Sequence, residues 1–574
     1  MKFPTFLTAL TTALAATEQP QVDLGYDVYK GVKNELTGLN TFKGIRFAAP
    51  PTGSLRWQPP RTPDVNRTST VPATSFGAAC PQSLRSGLRF RVTPSPIDED
   101  CLFLNVYAPT NASDLPVLVW IHGGGYGVGD GREDMSKLIN ANNNSFVGVS
   151  IQYRLGAFGF LAGDEVFRHG VVNAGLLDQQ FALQWIQQHI HGFGGDARNV
   201  TIWGTSAGGG SVMLHNIAYG GTQGTSLFTN SISVSPFLPQ QYGYADWIPS
   251  QSYYAFAAQA GCFTPSAYGN NSQSIFQCLV SKDTKTLQDA SGTISKSGRH
   301  GTWAFLPVTD GIYIQSTPSS ALHAGKLNGL THLTSNAAEE GPAYVPQSIT
   351  TQTSLDAWKS LVFPLFTPTD LALLAQHYPT SPPISRYPTP GTSHPTALDT
   401  SATASGHQQT ANLIYAESTF ICSSHWLAHA YTTYRAGGYK FQVSTPVALH
   451  GVDDTAVFDN KPSPIYGRAY VRAVQRLWGA FVTSGSPALS ANGELEGWGA
   501  FTYGDPVMAN WNQSGGVLGP ADTVLIPALE GLNATWSVEP GLETDFSVVD
   551  GNAWEGGRGA RCEFWRSVAA RVPM

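Results

Sequence analysis

The chain has 574 residues, of which 42% are hydrophobic and 13% charged, a composition typical of a folded globular protein rather than a disordered or fibrous one. Its formal net charge of −7, with no cluster of lysine and arginine, argues against a general nucleic-acid binder. We therefore expect a globular protein with no nucleic-acid partner.

The amino terminus predicts a signal peptide over residues 1–16. It has a basic start at residues 1–2, an apolar centre at residues 3–14 and two alanines before Thr17. This apolar run is too short to cross a bilayer, and no later stretch reaches about 20 apolar residues, so we predict no integral membrane segment. Because we find neither an internal repeat nor a separating linker, we expect residues 17–574 to form a single domain.

Cysteines and glycosylation sequons indicate an oxidising, extracellular environment. Six cysteines, an even number, allow many pairings, and their order favours Cys80–Cys101, Cys262–Cys278 and Cys422–Cys562. The sequons that we predict to carry glycans are Asn66, Asn111, Asn143, Asn270, Asn512 and Asn533. A further sequon at Asn199 lies on a predicted strand, where we expect its side chain to be buried and unmodified. Together with the signal peptide, these features predict a secreted protein.

Strands and helices are predicted to alternate along the chain. The predicted strands cover residues 99–109, 116–122, 146–153, 231–235, 327–333 and 439–443, and the predicted helices cover residues 175–189, 251–260 and 473–484. The run at 116–122 is continuously apolar, as expected for a central strand covered on both faces. This order predicts an α/β fold with a large, mostly parallel sheet and helices on both sides.

A short pattern, Gly204-Thr-Ser206-Ala-Gly208, is typical of a nucleophile elbow between a strand and a helix. The glycines would let the backbone turn sharply, and the following helix would point its first N–H groups at charge beside Ser206. With 60 glycines the pattern can arise by chance, and Gly224-Thr-Ser226 repeats its first half. Ser206 therefore needs partners elsewhere in the chain.

Ser206 requires a base and an orienting carboxylate, because a neutral serine is a poor nucleophile. His450 precedes a glycine in a loop after a predicted strand and is a candidate base. The acidic pair Glu339 and Glu340 follows another predicted strand and supplies two candidate carboxylates. The glycine run 123–125 directly follows a buried strand, where backbone without Cβ atoms can approach a reacting carbonyl.

These segments together resemble the type-B carboxylesterase/lipase family, which includes cholinesterases and secreted fungal lipases. They occur in the family's order from about residue 25 to residue 485, which makes the combination more specific than any one motif. The matching segments are residues 44–51, 99–106, 122–125, 153–160, 175–179, 193–196, 204–208, 336–341 and 450–451.

The resemblance implies an α/β-hydrolase fold and a serine-dependent carboxylic-ester hydrolase. Ser206 would be the nucleophile and His450 the general base. Glu340, directly before a glycine, would be the triad acid in preference to Glu339. This chemistry needs no metal and no organic cofactor, and its partner is a small-molecule ester.

The resemblance also implies residues around the triad. Gly124, Gly125 and Ala207 would donate backbone N–H groups to the oxyanion. Ser235 resembles a serine that hydrogen-bonds the triad acid, and a plain serine at the end of a strand is the alternative. Trp303 falls where relatives place aromatic residues of the acyl pocket.

Two ion pairs are expected from the same resemblance: Arg46 with Glu99, and Arg154 with Asp178. Both would stabilise the scaffold rather than take part in catalysis, because they lie in scaffold segments. One departure concerns Thr205, which stands where many relatives carry an acidic residue before the nucleophile. This departure removes a negative charge that would favour a cationic substrate.

A second departure concerns cholinesterase activity. No tryptophan lies between Cys80 and Cys101, where cholinesterases present one to a quaternary ammonium. The sequence therefore predicts a secreted esterase that forms an acyl-enzyme. A lipase, or an esterase or lactonase dedicated to one secondary metabolite, is the alternative within the family. A non-catalytic adhesion or scaffold protein is the alternative from another class.

Overall fold

The computed structural model describes residues 19–86, 96–263, 273–380, 389, 391–392, 406–445, 448–460, 463–487, 495–520, 535–572 and 574. The predicted signal peptide (residues 1–16) and the sequons at Asn270 and Asn533 lie outside these ranges. Within the described ranges, no helix combines the length and the apolar character needed to cross a membrane.

The strands of the described residues form two sheets. They are β1 (Gln21–Asp23), β2 (Val28–Lys30), β3 (Val32–Asn34), β4 (Leu39–Arg46), β5 (Thr70–Pro72), β6 (Phe103–Pro109), β7 (Leu115–Ile121), β8 (Val147–Ile151), β9 (Gly195–Thr205), β10 (Asn230–Val234), β11 (Thr331–Ala337), β12 (Gly437–Val443), β13 (Val507–Pro520) and β14 (Thr535–Asp550). The smaller sheet joins β1, β2 and β5, and the larger has the order β14-β13-β12-β11-β10-β9-β7-β8-β6-β4-β3.

The larger sheet is parallel in its centre and antiparallel at its edges. Strands β13, β12, β11, β10, β9, β7 and β8 run parallel, each to its neighbour. Strand β14 joins one edge antiparallel, and β6, β4 and β3 continue the other edge antiparallel. The predicted mostly parallel sheet is confirmed, and its parallel strands present their carboxyl ends along one edge, where α/β proteins bind ligands.

Helices connect the strands and cover the sheet. The α-helices of the described residues are Ser136–Ala141, Gly156–Phe160, Asp164–His169, Ala174–His189, Ala207–Ile217, Trp247–Gln259, Ile275–Ser281, Thr284–Ser297, Pro318–His323, Gln352–Val362, Pro368–His377, Gly406–Ala416, Cys422–Tyr434, Asp454–Phe458, Arg468–Ser484 and Trp554–Ser567. Short 3₁₀ turns occur at Gly53–Leu55, Ile190–Phe193 and Ala218–Gly221, and a π-helix at Glu417–Ile421 joins two α-helices.

Apolar side chains cover both faces of the larger sheet because successive residues of a strand point to opposite sides. Ile202 of β9 packs in one apolar cluster with Met213 of the helix Ala207–Ile217. Its neighbour Trp203 packs in the opposite cluster, where its ring lies 5.7 Å from that of Trp478. These two layers hold β9 rigidly and so fix the position of the residue that follows it.

Strand β11 differs from the strand predicted at residues 327–333. The observed strand is Thr331–Ala337, and Asn328 lies in the preceding loop. The Asn328 amide nitrogen donates to the carbonyl oxygens of His215 and Ala218, at 2.9 Å each. These bonds fasten Asn328 to the end of a helix, so the start of the predicted strand is wrong.

Three disulfides join the cysteines in the favoured pairing: Cys80–Cys101, Cys262–Cys278 and Cys422–Cys562. The first two close short loops, with sequence separations of 21 and 16 residues. The third has a sequence separation of 140 residues and fastens the carboxyl-terminal helix to the helix that begins at Cys422. The predicted disulfide framework is confirmed.

The described sequons differ in accessibility. Asn66, Asn111 and Asn143 are exposed and can carry glycans. Asn512 lies on β13 with 0% exposure, so the folded chain has no room for a glycan there and that prediction is wrong. Asn199 lies on β9 as expected, but it is half-buried rather than buried.

Candidate active site

The predicted site residues meet at the carboxyl ends of neighbouring strands. Strand β9 ends at Thr205 and is followed by Ser206, while β11 ends at Ala337 shortly before Glu340. His450 follows β12 through a loop, and β10 lies between β9 and β11. The fold thus brings together three side chains that are far apart along the sequence.

Ser206 occupies a sharp turn between β9 and the helix Ala207–Ile217. Its backbone has φ 61° and ψ −123°, a conformation that costs non-glycine residues of the order of 1–3 kcal/mol. Gly204 and Gly208 do not have positive φ. They are required for close approach instead, because a Cβ on Gly204 would lie 2.3 Å from the Gly208 carbonyl carbon. The tight turn therefore places the unusual backbone conformation on the serine itself.

A chain of hydrogen bonds links the three predicted triad residues. The Ser206 hydroxyl lies 2.8 Å from His450 Nε2, and His450 Nδ1 contacts Glu340 Oε2. The other carboxylate oxygen, Glu340 Oε1, accepts from the Ser235 hydroxyl and from the Ala337 backbone N–H, each at 2.6 Å. With its Nδ1–H donated to the carboxylate, the imidazole presents the unprotonated Nε2 to Ser206.

Glu340, and not Glu339, contacts the imidazole. Glu340 is 0% exposed and points back towards the ends of β10 and β11. Glu339 uses its backbone N–H to bond the Ala448 carbonyl oxygen, which helps to hold the loop before His450. The Glu339 backbone thus supports this loop, while the Glu340 carboxylate contacts the imidazole.

A glycine loop lies against Ser206. A Cβ on Gly123 would lie 3.1 Å from the Ser206 Cβ, so the loop passes beside the serine without space for a side chain. Gly124 and Gly125 have φ of 106° and 64°, values that glycine adopts without strain. Within the described residues, no acceptor takes the N–H of Gly124, Gly125 or Ala207. These groups are therefore available to an oxygen atom placed beside Ser206.

Aromatic rings surround the imidazole. The ring centroids of Phe420 and Tyr344 lie 4.4 and 5.2 Å from that of His450. Burial raises the pKa of Tyr344, and the nearby Arg85 guanidinium acts in the opposite direction. Sequence reasoning missed both residues. Tyr344 stands four positions after Glu340 and could have been noticed, whereas Phe420 on the π-helix gives no sequence signal.

Trp303 packs against the glycine loop. A Cβ on Gly125 would lie 2.2 Å from the Trp303 ring. The ring also lies 6.4 Å from that of Tyr344, and the Arg85 guanidinium stands 5.0 Å from it. Trp303 therefore lies beside the candidate oxyanion donors. Sequence reasoning did not find Arg85, because no local pattern marks it.

Thr205, which replaces the acidic residue of many relatives, bonds to an acid elsewhere. Its hydroxyl donates to Asp454 Oδ1 at 2.6 Å and so connects the nucleophile turn with the loop of His450. Burial, and then the nearby Glu340 carboxylate, raise the pKa of Asp453 to about 7. Burial also raises the pKa of Asp454. Two acids with raised pKa values therefore lie in the segment that follows His450.

One of the two expected scaffold ion pairs is confirmed and the other is wrong. Arg154 and Asp178 form the expected buried pair, with Nη2 and Oδ1 2.7 Å apart. The expected pair of Arg46 and Glu99 is wrong, because Arg46 binds Asp100.

Glu99 instead binds the buried Arg56 through both carboxylate oxygens, at 2.6 and 2.7 Å. Glu99 is only 3% exposed, whereas the side chain of its neighbour Asp100 is 33% exposed. The inward carboxylate therefore neutralises the buried Arg56, and Arg46 pairs with the outward one.

Comparisons with known proteins identify the family of the chain. The carboxylesterase family matches residues 18–515. Carboxylesterase patB of Aspergillus clavatus is 31% identical over 535 residues, covering 84% of this chain and 90% of that protein. Lipase 2 of Geotrichum candidum is 33% identical over 396 residues, covering 62% of this chain and 68% of that protein.

A solved structure shows the same fold. The crystal structure of EstA from Aspergillus niger superimposes with a TM-score of 0.76 and 26% sequence identity, covering 97% of this chain and 99% of that one. The predicted α/β-hydrolase fold and the resemblance found in the sequence are thus confirmed. The chain belongs to the carboxylesterase family and is a carboxylic ester hydrolase.

Proposed function

We propose that the chain hydrolyses esters through an acyl-enzyme on Ser206, with His450 and Glu340 completing a catalytic triad. The observation that carries this proposal is the continuous chain of hydrogen bonds from the Ser206 hydroxyl through both imidazole nitrogens to Glu340. An unprotonated Nε2 beside a serine hydroxyl is the arrangement that general-base activation requires.

In the first half of the reaction, Ser206 Oγ attacks the ester carbonyl carbon while its proton passes to His450 Nε2. The carbonyl oxygen becomes an oxyanion that accepts from the N–H groups of Gly124, Gly125 and Ala207. Glu340 stabilises the imidazolium that forms beside it. Loss of one oxyanion donor typically raises the barrier by about 2.7–4 kcal/mol.

In the second half, His450 returns its proton to the departing alkoxide, and the alcohol leaves an acyl group on Ser206. Water then gives a proton to His450 and attacks the acyl carbonyl, and the carboxylic acid departs as the proton returns to Ser206. Because His450 carries every proton, the cycle needs no metal and no organic cofactor.

We infer that the protein is secreted and that residues 17–574 act as one hydrolase domain after cleavage of residues 1–16. Three disulfides support folding in an oxidising compartment. The exposed sequons at Asn66, Asn111 and Asn143 agree with passage through the secretory route. A relative from Arthroderma benhamiae, 28% identical over 520 residues, is named a secreted lipase.

The proposed nucleophile is tested by turnover of 4-nitrophenyl acetate by purified Ser206→Ala. We expect activity to fall to background, while Ser226→Ala, in an exposed turn with the same Gly-Thr-Ser start, retains wild-type activity. Wild-type-like turnover by Ser206→Ala would contradict the proposal, and so would the absence of ester hydrolysis by the wild type.

A series of esters with graded acyl chains distinguishes the two activities named among the relatives. Preference for short, dissolved esters would support a carboxylesterase. Activity restricted to emulsified triglyceride would indicate a lipase that uses the same triad.

A further inference from the structure

Arg85 is a buried cation beside the proposed nucleophile. It is 3% exposed, and its guanidinium carbon lies 5.0 Å from the Trp303 ring centroid and 4.9 Å from that of Tyr344. Nη1 donates to the Ser86 carbonyl oxygen at 3.0 Å and Nη2 to the Ala343 carbonyl oxygen at 2.7 Å. Within the described residues, the buried Nε has no hydrogen-bond partner.

The surroundings of Arg85 supply no counter-charge. No carboxylate of the described residues forms an ion pair with it, and the adjoining residues 87–95 contain neither aspartate nor glutamate. Burial lowers the pKa of Arg85, and the groups that act in the opposite direction are the phenols of Tyr344 and Tyr415. Burying an ionised group without a paired charge is costly in folding free energy.

Two other buried arginines of this chain have carboxylate partners. Arg56 binds both oxygens of Glu99, and Arg154 binds both oxygens of Asp178. In each pair the fork of the guanidinium matches the carboxylate, as expected where the pair is structural. Arg85 has a similar degree of burial and lacks such a partner, so its charge remains available to a bound anion.

Arg85 contacts two aromatic residues that in turn contact the candidate site. Tyr344, over whose ring it lies, packs against the His450 imidazole, with ring centroids 5.2 Å apart. Trp303, the other ring, contacts the glycine loop at Gly125. The two rings thus connect the guanidinium with the glycine loop and with the imidazole.

A second cation lies on the same side of the site. The Tyr415 ring stacks on that of Tyr344 at 5.5 Å, and Arg85 and Arg299 both lower the pKa of Tyr415 against the larger effect of burial. Within the described residues, Arg299 has no carboxylate in an ion pair. Two cations thus act on the Tyr415 phenol next to Tyr344, although the chain as a whole has a net charge of −7.

We propose that Arg85 binds a carboxylate carried by the substrate, so that the preferred substrates are anionic esters such as half-esters of dicarboxylic acids. The proposal rests on the proposed ester hydrolysis at Ser206. The carboxylate would take the free Nε and the adjacent Nη, with the rings of Trp303 and Tyr344 lining its path.

The test compares charged esters with neutral partners of the same shape. Mono-(4-nitrophenyl) adipate against its methyl ester places the carboxylate on the acyl part. The pair 4-acetoxybenzoate and methyl 4-acetoxybenzoate places it on the alcohol part. For the full-length wild type, we expect kcat/KM to favour the charged member of at least one pair.

In Arg85→Met the preference for the charged ester should fall by at least about tenfold to a hundredfold, the loss expected for a single charge-assisted hydrogen bond of the two proposed. The rate on the neutral partner should change little. Arg85→Lys should recover part of the preference, because it keeps the charge without the fork. As a control, Arg198→Met changes a side chain that is 88% exposed. It should leave the charged-to-neutral ratio of kcat/KM unchanged for both ester pairs.

Three outcomes would overturn the proposal. The first is a wild-type kcat/KM that is no higher on the charged ester than on its neutral partner in both pairs, and this result counts even if Arg85→Met fails to fold. An unchanged ratio in Arg85→Met would show that another group selects the charge. An equal loss on charged and neutral esters would show a structural role. Failure of the proposed triad is recognised separately, because the wild type would then hydrolyse neither partner.

Discussion

Two fully buried glutamates, Glu340 and Glu417, have opposite kinds of partners. Glu417 binds Arg561 through both oxygens, at 2.8 and 2.7 Å, and accepts from the Tyr378 hydroxyl at 2.5 Å. Glu340 accepts from a serine hydroxyl, a backbone N–H and the imidazole of His450. Both carboxylates are 0% exposed, so burial alone does not distinguish them.

We infer from this difference that one residue type serves structure in one region and the proposed catalysis in the other. A carboxylate that a guanidinium already neutralises interacts only weakly with a further positive charge nearby. Glu340 is held by neutral donors, so its charge remains available to the proton that His450 acquires during the reaction. The Glu417 cluster instead fastens the carboxyl-terminal helix, next to the Cys422–Cys562 disulfide.

The largest effect is expected from Glu340→Gln. This change should lower kcat by about 10⁴-fold, because the amide nitrogen that then faces Nδ1 donates to it and leaves the imidazole proton on Nε2, the wrong tautomer for a base. The free energy of unfolding should change little, since the side chain keeps its shape and its neutral donors. Steady-state kinetics and urea unfolding of the same preparation measure the two quantities.

The matched change Glu417→Gln should lower stability and leave kcat nearly unchanged. It leaves a buried guanidinium without its counter-charge, so we expect the free energy of unfolding to fall by about 3–5 kcal/mol. The kcat of the remaining folded protein should stay near the wild-type value. A large loss of kcat in Glu417→Gln, with wild-type stability, would remove the distinction between the two regions.

Asp453 is a third buried carboxylate, and within the part of the chain that the structure describes it has neither an arginine partner nor a side-chain donor. No side chain of the described residues donates to it, and its pKa is raised from 3.8 to about 7. Between these values the folded state binds more protons than the unfolded state, so this group makes stability fall as the pH rises from about 4 to 7. Below that interval the group has no such effect.

Asp453→Asn should therefore stabilise the protein relative to wild type at pH 8 and much less at pH 4.5. Since one pKa unit corresponds to about 1.4 kcal/mol, the expected difference between the two pH values is of the order of a few kcal/mol. Urea unfolding of both proteins at both pH values measures it. An effect of the same size at pH 4.5 and pH 8 would contradict the raised pKa.

The smallest effect is expected from Ser235→Ala. Glu340 Oε1 would keep the Ala337 N–H and lose only the serine hydroxyl, so kcat should fall by about three- to tenfold with little change in KM. Ser233→Ala on the same strand is the control, because the Ser233 hydroxyl bonds to the Gly209 carbonyl oxygen instead. Equal effects of the two changes would show that Ser235 has no special link to the triad.

The nucleophile turn was predictable because its determinants are local. An apolar strand, two small residues around Ser206 and the start of a helix lie within a short segment, and the structure has this order. The sequence also offered Glu340, whose carboxylate contacts the imidazole, although the choice of Glu340 over Glu339 came from the resemblance rather than from the residues.

The surroundings of the candidate site could not be predicted in the same way. Trp303 was expected only from the resemblance, and Arg85 and Tyr344 were not expected at all. These three residues come from separate loops, and their contacts depend on how those loops pack. The wrong ion pair has a similar cause. Glu99 and Asp100 are equivalent in charge, and only the fold determines which of them faces the buried Arg56.

The most direct measurement of the central claim is the location of a covalent adduct. The wild-type protein is inactivated with diethyl 4-nitrophenyl phosphate, digested and analysed by mass spectrometry. The account predicts one diethylphosphoryl group per chain, on Ser206, and loss of activity in proportion to its occupancy. Complete inactivation with the adduct on another residue, or full activity with Ser206 modified, would contradict it.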